Sequence, residues 1–205
     1  MRTLATRVFG SSRSSRSSQR GQSIVEFALV LPFLVVLVLG LTELGYALLD
    51  SHIATKLTRE SSNLISRDSS LQDAATAMTS MSSRPINFAN GSSKIIFSVI
   101  RKVDSSTAAN YGQPVLYQRL VYGTFPGTSA LTTSGSGSFG GAPDYIAANS
   151  DSDTRLRVTN LPNAAQMPLG GMTYVTEIFT RHTLITPLDR FGITVPTSLY
   201  SIAYF

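Results

Sequence analysis

The apolar run from Gly21 to Leu49, GQSIVEFALVLPFLVVLVLGLTELGYALL, carries two charges, Glu26 and Glu43. Seventeen helical steps separate them, about 26 Å at ~1.5 Å per residue. A bilayer's hydrocarbon core is ~30 Å thick and takes ~20 mostly apolar residues to cross. The pattern predicts a membrane-spanning helix over 22–49, with Glu26 near one interface and the apolar residues after Glu43 completing the crossing. Pro32 removes one backbone hydrogen bond inside this helix and predicts a kink there. Gly40 and Gly45 are one residue too far apart for a GxxxG packing motif.

Beyond the apolar run, residues 50–82 contain no proline or glycine. Leu57, Leu64, Leu71 and Met78 recur every seventh residue, beside Ala54, Ser61, Asp68 and Ala75. This narrow stripe predicts that the helix continues unbroken to about residue 82, packed on its own domain. The companion row is too polar for a strong zipper. Arg84-Pro85 stops the helix, because proline disfavours helix at the residue before it. Residues 83–205 then read as β. Strands are expected at KIIFSVIRKV (94–103), VLYQRLVY (115–122), weakly around Arg155 to Thr159, at MTYVTEIFTRHTLI (172–185) and at SLYSIAYF (198–205). The first is apolar on both faces, as a central strand would be. Residues 123–150, rich in Gly, Ser and Thr, predict a mobile loop. One long helix followed by a run of strands argues for the α+β class, with the helix leading into an antiparallel sheet domain.

Charge sharpens the topology. The net charge of +5 lies wholly in residues 1–21, which carry Arg2, Arg7, Arg13, Arg16 and Arg20 and no acid. The rest of the chain has as many acids as bases, so no nucleic-acid-binding patch is expected. A basic leader places the N-terminus in the cytoplasm and the C-terminal domain across the membrane. The leader itself is too polar to bury a core and predicts disorder. It also suits a transit peptide, or a leader removed ahead of the apolar helix; a secretory signal fits poorly, because the apolar region is too long. The chain has no cysteine, which excludes disulfides, thiolate metal sites and a cysteine nucleophile.

The segment Gly21-Gln-Ser-Ile-Val-Glu26-Phe27 joins a basic leader, a glycine, a glutamate five residues on, an aromatic residue and a long apolar helix. This resembles the N-terminus of type IV pilin-like proteins. Within them, RGQSIVEFALVLPFLVVLVLGLTELG resembles the TadE/TadG-like minor pilins, or pseudopilins, of tight-adherence (Flp-type) pilus systems. More weakly, YVTEIFTRHTLITPLDRFG and SLYSIAYF resemble that family's closing strands. Similar chains often end in a short tail with arginine and proline, which does not follow Phe205 here.

The resemblance implies a non-catalytic pilus-assembly component, with no cofactor, held in the bacterial inner membrane. Its domain would face the periplasm or the exterior. Its partners would be a prepilin peptidase, other pilins or pseudopilins and the pilus assembly platform, with no nucleic acid. The peptidase would cut between Gly21 and Gln22. The freed α-amine of Gln22, charged below a pKa of ~8, would pair with Glu26 of a neighbouring subunit, with Phe27 beside it. A plain signal-anchored protein with an outer binding domain is the alternative reading, in which Glu26 simply sits among the headgroups.

Other chemistry is thinner. Asn149, Asp151 and Asp153 alternate like the start of a calcium loop, but Thr154 stands where the turn glycine belongs and Asn160 where the closing glutamate belongs. A solvated turn is the simpler reading, and no metal site is expected. His52 and His182 are the two histidines, far apart in the chain, and no G-x-S-x-G is present, so no catalytic residue is expected. Glu177 and Arg181 share one face of a strand and suggest a local ion pair.

Overall fold

The computed structural model describes residues 16–192 and 197–205. Residues 1–15, most of the basic leader, lie outside that range. The helix α1 spans Arg16–Ile65 and passes through Pro32 without interruption. It therefore includes Arg16–Gly21, which the polar composition assigned to a disordered leader. Among the described residues one helical stretch, Gly21–Ile65 of α1, is long and apolar enough to cross a membrane, and none of its most apolar window is buried within the protein.

The unbroken helix expected over 22–82 is instead two helices, α1 and α2 (Leu71–Met81). The break falls at Asp68, whose φ of 61° is left-handed. Aspartate tolerates that region better than most residues. α2 then starts on a side-chain cap: the Asp73 amide donates to Ser70 Oγ at 3.1 Å, and Ser70 Oγ donates back to Asp73 Oδ2 at 2.8 Å. The heptad stripe serves the domain core, as its spacing suggested. Leu57, Leu71 and Met78 are buried, with Leu64 partly so.

Four strands follow: β1 (Ser93–Lys102), β2 (Pro114–Gly123), β3 (Met172–Arg181) and β4 (Ser198–Tyr204). They form one antiparallel sheet in the order β2-β1-β3-β4. The class is α+β, and β1 is indeed central. The segment around Arg155 to Thr159 contributes two isolated bridges, Val115 to Arg157 and Thr133 to Val158, after a 3-10 turn at Thr154–Leu156.

Both faces of the sheet are covered. On one, Ile95, Phe97, Val99 and Ile178 meet Ala54, Leu57 and Ile65 of α1 and Leu71, Ala74, Ala75 and Met78 of α2. On the other, Ile100, Leu116 and Val175 meet Leu131, Ala147, Leu156, Val158 and Leu161 from the long connection between β2 and β3. The Gly/Ser-rich segment is thus packed on the sheet. Its glycines allow close approach: a Cβ on Gly137 would overlap Leu156 Cδ2, and one on Gly127 would lie 2.7 Å from the Phe179 ring. Asn160 staples the connection, accepting from the Thr132 amide and donating to the Ala130 carbonyl, each at 2.7 Å.

The sheet has a near end and a far end relative to the apolar half of α1. At the near end β3 runs out at Arg181, and the next residue, His182, reaches Glu43. Toward the far end, Ser62 Oγ of α1 donates to the Ala203 carbonyl of β4 at 3.3 Å.

Candidate functional site

Two features of α1 stand out: the N-terminal motif, and the point where the domain first touches the helix. In the motif, Gly21, Gln22, Glu26 and Phe27 are exposed on a regular helix. The Gly21–Gln22 peptide bond lies inside α1. One turn apart, Gln22 Nε2 donates to Glu26 Oε1 at 3.0 Å. Most of the large apolar residues from Ile24 to Leu41 are exposed, Phe33 at 72%, with Val36 and Leu39 half-buried. Gly40 and Gly45 face open space.

The junction is built on Glu43, which is 1% exposed although its helical neighbours Leu41 and Leu44 are more than half exposed. Its carboxylate accepts from Thr186 Oγ1 at 2.6 Å, the Thr186 amide at 2.9 Å and the Ile185 amide at 3.2 Å. His182 Nε2 lies 2.9 Å from Glu43 Oε1, and His182 Nδ1 lies 2.6 Å from Asp50 Oδ2, two turns further along α1. Both ring nitrogens face carboxylates, so the arrangement calls for a doubly protonated imidazolium. Burial opposes that charge, but hydrogen bonds and attraction to Asp50 and Glu43 outweigh it and raise the His182 pKa above its ordinary value. The result is a buried acid–base–acid bridge between the membrane-side helix and the sheet.

Sequence reasoning missed this bridge. It set His182 aside as one of two distant histidines and treated Glu43 as the end of a charge-free run. The available signal was that lone acid in an apolar helix, since a buried carboxylate must find a partner. His52, the other histidine, is exposed.

Glu177 does not pair with Arg181 as suggested. It is fully buried in the sheet and accepts from the Ser129 hydroxyl, from the Ala130 amide at 2.7 Å and from the Tyr200 hydroxyl at 2.8 Å. Arg119 of β2 feels its charge, while Arg181 is exposed. The acids of the calcium-like stretch are held by arginines: Asp151 by Arg101, and Asp153 by Arg155 at 2.9 Å. Asn149 takes a left-handed turn, with φ 55°. Among the described residues, no group of three or more His, Asp or Glu side chains is placed to hold a metal ion.

The fold defines a class: an α+β protein whose one long apolar helix projects from a four-stranded antiparallel sheet domain and is suited to single-pass membrane anchoring. Residues 21–63 match the TadE family model, described as TadE-like protein. The match opens at the glycine of the N-terminal motif and closes two residues before α1 ends, taking in Glu26, Glu43 and Asp50. The sheet domain lies outside it. The curated proteins and the solved structures compared with the chain contain no match.

Proposed function

We propose that the protein is a structural, non-catalytic minor pilin or pseudopilin of a tight-adherence pilus or related secretion filament. It is anchored in the inner membrane with its N-terminus in the cytoplasm and its sheet domain outside. One observation carries the reading: the TadE-like match begins at Gly21, and the helix it covers has a bilayer-length apolar portion unburied by its own domain. Such a surface calls for lipid before assembly and for other helices after it. A prepilin peptidase cuts between Gly21 and Gln22, having first unwound that turn of α1. The new α-amine of Gln22 then neutralises Glu26 of the adjacent subunit. Pairing at one axial offset only makes this a register device, since breaking a buried ion pair costs ~3–5 kcal/mol. The other pilins and the assembly platform are the partners.

The test is direct. Mass spectrometry of protein recovered from membranes should find Gln22 as the first residue, and Gly21→Ile should leave the leader attached. Glu26→Val should still be inserted and cut but be missing from filaments.

One observation favours the alternative of a signal-anchored protein with an outer binding domain. Glu26 already has a hydrogen-bond partner, Gln22, in its own chain. Under that reading Gly21→Ile changes nothing on a gel and Glu26→Val is without consequence.

A further inference from the structure

Glu26 and Glu43 are about 26 Å apart along the helix, slightly less than the ~30 Å of hydrocarbon. With Glu26 at one boundary, Glu43 falls at or just inside the other. A bare carboxylate at that depth is strongly disfavoured. The protein covers it with its own domain: His182, Ile185 and Thr186 all bond to Glu43. Groups that touch Glu43 share its depth. The segment between β3 and the following 3-10 turn (Pro187–Phe191) is therefore carried down to the edge of the hydrocarbon. There its backbone is occupied by Glu43 while the Ile185 side chain is 59% exposed. Next to Glu43, α1 keeps an exposed apolar surface, with Leu44 at 57%. Arg181 and Arg190, both exposed, flank the segment.

We propose that residues 183–187 form a foot seated in the interfacial layer of the bilayer, with the Ile185 side chain among the upper acyl chains and the flanking arginines among the headgroups. The partner is the lipid surface itself. The foot is a second membrane contact, which fixes the sheet domain's tilt and rotation above the membrane. Helix tilt and rotation are set by such interfacial contacts rather than by span length. The inference rests on α1 crossing the bilayer, and the experiment separates the two.

The chain contains no tryptophan, so single-tryptophan variants report one site each. Leu34→Trp (mid-span), Ile185→Trp (foot) and Tyr111→Trp (loop at the far end of the sheet) are reconstituted as full chains. The vesicles are phosphatidylcholine and phosphatidylglycerol with brominated acyl chains, which quench indole by contact. Expected is strong quenching at position 34, clear quenching with blue-shifted emission at 185, and none at 111. Quenching at 34 without quenching at 185 overturns the foot and leaves the span. Loss of quenching at 34 overturns the span and the foot with it. Blue-shifted emission at 185 that brominated lipid does not quench assigns the segment to a protein neighbour and also overturns the proposal. A nitroxide on Ile185→Cys, in a chain with no native cysteine, gives an independent depth. A spin label as accessible to aqueous quencher as one at Tyr111→Cys overturns the proposal as well.

Discussion

At the scale of single residues, the Glu43–His182–Asp50 bridge decides how the domain sits on its helix. Removing the base takes the shared partner from two acids, one of them fully buried. His182→Ala should therefore destabilise the helix–domain junction by about 3–5 kcal/mol, the usual cost of breaking a buried pair by removing one partner. Thermal or denaturant unfolding of the full chain in detergent measures this. The bridge also has a pH signature. The native pKa of His182 is raised, so the native state holds its proton more tightly than the unfolded state does. Its contribution is fully present below the unfolded value of ~6.5 and is lost as pH rises through the higher native value. The unfolding midpoint should fall across that window in the parent chain and stay flatter in His182→Gln. Equal slopes in the two would remove the imidazolium from the account. Glu177 is buried without a bridge, and three donors satisfy it.

At the scale of elements, the break between α1 and α2 shows how little a helix boundary needs. Residues 50–82 lack proline and glycine, which argues for continuity, yet Asp68 in a left-handed conformation and the Ser70 cap are enough to end one helix and begin another. Neither the turn nor the cap, a serine three residues before an aspartate, was read from the pattern, and the turn's cost is offset only when α2 folds back onto the sheet. Asp68→Val should lower stability by about 1–2 kcal/mol, the penalty of forcing a side chain into left-handed backbone, while Asp68→Gly should not. Urea unfolding of the two variants side by side checks this. The β2–β3 connection carries the converse lesson. Its glycine and serine content reads as mobility, but Gly137 and Gly127 are small because Leu156 and Phe179 occupy the space where a side chain would go. Composition cannot separate freedom from tight contact.

At the scale of the whole molecule, α1 belongs to two environments. Its most apolar stretch is unburied; its later part, through Ala54, Leu57 and Ile65, is part of the sheet's core. A chain beginning at Glu43 should therefore unfold cooperatively. One beginning at Leu71 should lose that core face, aggregate and bind an apolar dye such as ANS. Scanning calorimetry and dye fluorescence on the two truncations distinguish these outcomes.

The membrane-length helix, the α+β class, the central β1 and the core-facing heptad stripe were determined by local pattern alone. Each depends on periodicity or spacing within a few turns of chain, and that information is linear. What the tertiary structure decided was pairing at a distance: His182 with Glu43 and Asp50 across 139 and 132 residues, and Glu177 with Ser129 and Tyr200 instead of Arg181. A buried charge announces that it needs a partner, but which one it meets is fixed only when the sheet lies down on the helix.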